Sequence, residues 1–156
     1  MRKQANSKDC FVCGLKNPSG LKLSFHEHPD GTVRTKLIIH PDFQGWPGIA
    51  HGGIIATLLD EVTARVYMND STGDKLMLTG KLEVRYRKPV PIGESIEVIG
   101  IPMGENGRTA TARGELRDSK GLLLAEAITT MVLAPENVVA QMDLGSRQWV
   151  QAPDED

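Results

Sequence analysis

From His51 to Met68 the chain reads HGGIIATLLDEVTARVYM. Within it Ile55, Leu58, Leu59, Val62 and Val66 recur with the period of a helix, while the flanking segments mostly alternate with the period of strands. A chain patterned in this way is organised around one central helix among many strands.

Projected at about 100° per residue, the five apolar side chains form one stripe and Asp60 lies roughly 140° from its centre. Ala56, Thr63, Ala64 and Tyr67 share the Asp60 flank, so another surface can approach the carboxylate closely there. Glu61 lies on a different flank near Arg65, where an i,i+4 ion pair is natural and the acid is expected to be solvated. Asp60 has no Lys or Arg three or four positions away. The two carboxylates are therefore not equivalent, although spacing alone leaves open that both are ordinary surface acids.

The helix entrance, DFQGWPGIAHGG from Asp42 to Gly53, is rich in Gly and Pro and carries no Ser, Thr, Asp or Asn just before the periodic run to cap its first turn. Amides of a first turn have no intrahelical partner, and Gly52 and Gly53 leave them sterically open to a carbonyl oxygen or a developing oxyanion. The same glycines equally suit a tight turn. Phe43 and Trp46 in this loop are expected to anchor it or to wall a pocket.

The 156 residues suit one domain with a real core, and a net charge of -2 without a basic block argues against a primary nucleic-acid role. No apolar run approaches the roughly 18 residues that span a bilayer, and the charged start MRKQANSKDC leads into no signal-like segment, so a cytoplasmic protein with no membrane partner is expected. Three parts are expected: an N-terminal segment over 1–19, a main domain over 20–136 and a tail over 137–156.

Residues 1 to 9 read as a loose polar end. Cys10 and Cys13 are the only cysteines. They can supply half of a tetrahedral metal site, with His26 and His28 as conceivable completing ligands, but nothing in the sequence places those histidines beside them. Thiols near a Gly and Asn-Pro turn are preferred over both a metal site and a redox pair, and neither a metal nor a cofactor is expected.

Leu21 to His28 reads as a strand, Pro29-Asp30-Gly31 as its turn, and Val33 to Ile39 as the returning strand. After the helix, Asn69 to Lys75 is a turn, and Leu76 to Lys88 is the clearest strand. On it Leu76, Leu78, Leu82, Val84 and Tyr86 point one way with Gly80 in register. Met77, Thr79, Lys81, Glu83, Arg85 and Arg87 point the other. That second face is too polar for a core and suits a solvated subunit seam or an anionic ligand. Ser95 to Pro102, Arg108 to Arg117 and Leu122 to Leu133 complete about six strands, mostly antiparallel, and Trp149 is expected to fasten part of the tail. Open edges and the polar face suggest that association completes the fold, a dimer being the economical answer.

This order of elements and the string GWPGIAHGGIIATLLD from Gly45 to Asp60 resemble the hotdog-fold acyl-CoA thioesterases, specifically the PaaI-like group and its mammalian mitochondrial relatives, whose pattern is G-x-P-G-x-x-H-G-G, six residues and an acid. The element order extends the resemblance over roughly residues 20 to 134. It implies an α+β hotdog fold, a curved sheet wrapped around the central helix, and a homodimer or dimer of dimers. It implies that the Gly52 amide polarises a thioester carbonyl and that Asp60 of the partner subunit is nucleophile or general base, with Thr79 assisting or orienting the attacking water, its hydroxyl projecting from the polar strand face where a second subunit can bring that Asp60.

His51, Gly53, Phe43, Trp46 and Ile54 are candidate substrate contacts. Lys81, Arg85, Arg87 and Lys88 form a basic run suited to the phosphates of CoA, or simply a solvated face partly balanced by Glu83. The function expected is hydrolysis of an acyl- or aryl-CoA to free acid and CoA. The alternatives are a non-catalytic acyl-CoA or small-ligand binding protein of the same fold, then a hydratase or dehydratase, and last a metal-supported interaction domain built on Cys10 and Cys13.

Overall fold

The computed structural model describes residues 1–68 and 76–141. The expected turn over Asn69 to Lys75 and the expected anchoring by Trp149 lie outside them. The elements are β1 (Arg2–Lys3), β2 (His26–Glu27), β3 (Val33–Ile38), α1 (Gly52–Arg65), β4 (Met77–Tyr86), β5 (Ser95–Asn106), β6 (Thr109–Asp118), β7 (Leu123–Leu133) and α2 (Glu136–Gln141). The seven strands form one sheet in the order β1-β2-β3-β5-β6-β7-β4, with every neighbouring pair antiparallel. The fold is thus α+β, a single long helix against an antiparallel sheet.

The apolar stripe of α1 is what seats it. Ile55, Leu58, Leu59 and Val62 are buried against Val98, Leu116, Ala125 and Ala127 from the sheet, each worth about 1.5–3 kcal/mol relative to exposure. Two glycines set how near the helix can come. A Cβ on Gly100 of β5 would stand 2.4 Å from the Val62 carbonyl oxygen, and one on Gly114 of β6 would stand 3.1 Å from Leu59 Cδ2. Gly100 thus brings backbone against backbone, and Gly114 leaves room for the Leu59 and Thr63 side chains.

The expected first strand forms only in part. Lys22 adopts φ 55°, a left-handed conformation that breaks the pleat. Leu21 and Leu23 donate instead to the carbonyls of Phe11 and Val12 in the N-terminal loop, at 2.8 and 2.9 Å. The N-terminus is not a loose end either. Arg2 and Lys3 pair with β2. Asn6 is buried and donates to the carbonyls of Cys13 and Leu23, both at 2.8 Å, while Gln4 donates to the Arg65 carbonyl at 3.1 Å and to Glu27 at 2.9 Å. Polar side chains are held here because backbone groups of the domain need partners.

The longest departure from the expected pattern is inside β4. Thr79 pairs with Met131 and Lys81 with Thr130, leaving Gly80 as an extra residue in a bulge. The parity of the strand changes there. Thr79 now shares the helix-facing side with Leu82 and Val84, opposite buried Met131, Thr129 and Ala127, instead of the polar face expected for it. Leu78, Lys81, Glu83 and Arg85 take the outer face, where Leu78 stands opposite exposed Val132.

Candidate functional site

His51 is the N-cap of α1 in extended conformation, and its Nδ1 accepts the Gly53 N–H at 2.9 Å. The first turn is therefore capped, by an imidazole where no capping side chain was expected. This bond fixes the imidazole against the helix entrance, with Nδ1 as the acceptor. Ile54 and Ile55 donate to the His51 carbonyl at 2.9 and 3.2 Å. Of the amides expected to be open, only the Gly52 N–H meets no acceptor among the described residues.

The loop before it is clasped to the body. His51 N–H donates to the Phe43 carbonyl and Ala50 N–H to the Val90 carbonyl, both at 2.9 Å. A cleft of about 440 Å³ opens beside Gly45, Trp46, Ala50, His51 and Gly52. Trp46 lines it while remaining 78% exposed, whereas Phe43 and Ile54 pack against the core. Sequence reasoning missed Tyr86, whose hydroxyl donates to the Gly52 carbonyl at 3.0 Å and whose ring stands 3.6 Å from where a Gly52 Cβ would be. Alternation along the strand puts it on the same face as Leu82 and Val84. At the strand end that face runs past the core and over the helix start, leaving Tyr86 53% exposed.

Asp60 is half-buried, and Thr79 Oγ1 donates to its Oδ1 at 2.8 Å within the same chain. The sequence reading has Thr79 meeting the Asp60 of a second subunit. The bulge at Gly80 corrects this by turning the hydroxyl toward its own helix. The flank of Asp60 is likewise covered by the chain's own sheet. Buried Thr63 donates to Thr129 Oγ1 at 2.7 Å, and the Tyr67 hydroxyl lies 2.7 Å from the Thr111 carbonyl. Asp60 stands eight positions after Gly52, which along a helix is roughly 12 Å. The carboxylate and the bare amide of one chain are therefore separated by about two turns of α1.

The neighbouring acid behaves differently from the solvated group expected. Arg65 Nε donates to Glu61 Oε1 at 2.8 Å, with the Arg65 side chain 1% and the Glu61 side chain 21% exposed. The guanidinium lies 4.3 Å from the centre of the Phe25 ring.

Of the basic run, Arg87 is bound to Glu126 and Lys81 lies 3.0 Å from Glu83. Arg85 and Lys88 are exposed and make no ion pair among the described residues. A second cleft of about 500 Å³, lined by Lys3, His26, His28, Arg34, Lys36 and Glu97 among others, contains none of the candidate residues. It does hold both histidines that were conceivable partners of the cysteines. The Cys13 thiol, hydrogen-bonded to Cys10, holds the Cys10 thiol down at about 6, and the same contact together with burial pushes the Cys13 thiol up.

The one long central helix, the antiparallel order of the sheet and the Gly-Pro entrance loop define a hotdog-type α+β protein. Residues 47–125 match the family described as "Thioesterase superfamily", and the chain belongs to it. Mouse acyl-coenzyme A thioesterase THEM4 is 37% identical over 49 residues, which is 31% of this chain and 20% of that protein, so the match spans a fifth of the relative's length. A crystal structure of a thioesterase superfamily protein superimposes with TM-score 0.72 at 30% identity, over 80% of this chain and 63% of that one. A Streptococcus mutans protein solved bound to acetyl CoA shares the fold with TM-score 0.64 at 20% identity, over 72% and 88% of the two chains. No helix among the described residues is long and apolar enough to cross a membrane.

Proposed function

We propose that this chain is an acyl-CoA thioesterase of the PaaI-like group, acting as a homodimer in which each site takes its oxyanion donor from one protomer and its carboxylate from the other. The observation that carries this reading is the pairing of a bare Gly52 N–H with an Asp60 held by Thr79, on one helix but roughly 12 Å apart. Polarisation by the amide raises the electrophilicity of the thioester carbon without reorganisation of the site. Asp60 then either removes a proton from the attacking water or attacks directly to form an anhydride that water afterwards hydrolyses, regenerating the carboxylate; in both routes the C–S bond breaks and CoA leaves as the thiol. Thr79, donating to one carboxylate oxygen, leaves the other directed at the reaction. The exposed Arg85 and Lys88 are the favoured phosphate contacts, and Trp46 a wall for the acyl or aryl group.

Free-thiol release measured across short, long and aromatic acyl-CoAs tests the proposal. The wild-type chain is expected to turn over at least one of these classes. Asp60→Asn is expected to lower kcat by about 10²–10⁴-fold, and Thr79→Val to lower it less, with the oligomer intact in both. Saturable CoA-ester binding with no thiol release from the wild type would establish the non-catalytic binding protein instead.

A further inference from the structure

The N-terminal loop brings together three metal-ligating groups that the thioester site does not use. Cys10 Sγ, Cys13 Sγ and a carboxylate oxygen of Glu61 all lie within 4.8 Å of one another. A tetrahedral zinc with Zn–S near 2.3 Å holds its donors about 3.5–3.8 Å apart, so closing this cluster on an ion takes shifts of about an ångström.

The loop is shaped for sulfur ligation. The N–H groups of Val12 and Cys13 donate to Cys10 Sγ at 3.3 and 3.5 Å, and the Ser7 N–H donates to Cys13 Sγ at 3.3 Å. Backbone donors aimed at sulfur favour the thiolate, the form that binds metal. The turn closes when Gly14 N–H donates to the Cys10 carbonyl at 2.8 Å. A Cβ at Gly14 would sit 2.3 Å from that oxygen and 2.5 Å from the Cys10 nitrogen, so the curl that joins the two sulfurs requires glycine.

The third ligand comes from the opposite side. Arg65 Nε occupies Glu61 Oε1, which leaves the second carboxylate oxygen for an ion, and the buried Arg65 Nη2 has no hydrogen-bond partner among the described residues. Two thiolates and a carboxylate carry three negative charges, which a divalent ion and the Arg65 guanidinium neutralise together. Thiolate donors select zinc over calcium and magnesium.

We propose that Cys10, Cys13 and Glu61 bind a zinc ion, with water in the fourth position on the half-exposed side of Cys10. Binding expels the protons of the thiols to solvent, so affinity falls toward acid pH. The ion would tie the N-terminal loop to α1 at the residue next to Asp60, and the proposal stands independently of the thioester reading.

The full chain, purified under reducing conditions without chelator, is expected to contain about one zinc per chain by elemental analysis. After zinc removal, Co²⁺ titration is expected to give a thiolate-to-cobalt charge-transfer band with the intense visible absorption of a tetrahedral site. Cys10→Ser and Cys13→Ser should weaken the band. Glu61→Gln should keep it, shift the visible absorption and weaken Co²⁺ binding by ~10-fold or more, since disturbing even a ligand's neighbour costs about 10–100-fold. Should a serine variant fail to fold, the wild type and Glu61→Gln decide the matter. Reduced protein that takes up neither ion, protein that carries iron or copper instead, or a Glu61→Gln variant with unchanged spectrum and affinity would overturn the proposal.

Discussion

A methyl group is too large for Gly100. Its Cβ would meet the Val62 carbonyl at 2.4 Å and Val66 Cγ2 at 2.8 Å, in the last turn of α1 where Val62 is fully buried and packing leaves the backbone little room to shift. Gly100→Ala is expected to cost about 2–3 kcal/mol, read as a lowered denaturant midpoint with unchanged slope. Gly52 tolerates more. It is the first helical residue, where proline is accepted because its missing N–H has no intrahelical partner, and His51 before it already has the extended conformation that proline requires (φ -62°, ψ 135°). A Cβ there makes only ordinary contact with Tyr86, at 3.6 Å. Gly52→Pro therefore removes the proposed oxyanion donor and little else. Its expected signature is native circular dichroism with kcat lowered about 10²–10³-fold, and an unchanged kcat would remove Gly52 from the mechanism.

The outer face of the sheet shows how strand pairing and charge work together. Glu115 on β6 and Glu126 on β7 stand directly opposite one another, a repulsive pairing taken alone. Arg113 resolves it by reaching Glu115 at 3.0 Å and Glu126 at 2.8 Å, with Arg117 and Arg87 at the two ends of the row. Arg87 first, and Arg113 after it, hold the Glu126 carboxyl below its ordinary value of 4.5 despite burial that acts the other way. A carboxyl depressed in the folded state adds stability above its unfolded pKa and loses it as pH falls through the folded one. Glu126→Gln is expected to be about 1 kcal/mol less stable at pH 7, with the deficit shrinking below about pH 4.5 in denaturant melts. The elements themselves were largely legible. The period of Ile55, Leu58, Leu59 and Val62 marked α1 and its buried face, and the turn at Asp30-Gly31 marked the hairpin between β2 and β3. Thr79 was read onto the wrong face because alternation counts residues, and one bulged glycine reverses the count. Gly80 alone inside a strand was the available signal. Glu61 was read as solvated because helical spacing gives the i,i+4 pair but not the N-terminal segment that folds over it. Asn6 and Gln4, polar in a polar stretch, carry no periodic mark of the backbone groups they satisfy.

At the scale of the whole molecule, β4 is the longer of the two edge strands of the sheet among the described residues, ten residues long and carrying Thr79 beside Asp60. A long edge strand invites pairing with another chain. Pairing of β4 with a second copy about a two-fold axis would bring the helix start of one protomer toward the Asp60 of the other, and an isologous contact makes two equivalent sites. This arrangement is testable without a complex structure. In Asp60→Asn homodimers every site lacks its carboxylate, and in Gly52→Pro homodimers every site lacks its amide donor. If each site draws on both protomers, a mixed dimer has one site with both defects and one with neither. Unfolding and refolding equal amounts of the two inactive variants together would then restore about a quarter of wild-type activity, because random association makes half the dimers mixed and half of their sites intact. If each site lies within one chain, every site keeps one defect and mixing restores nothing. Recovery near a quarter, scaling with the fraction of mixed dimers as the input ratio is varied, is the expected result.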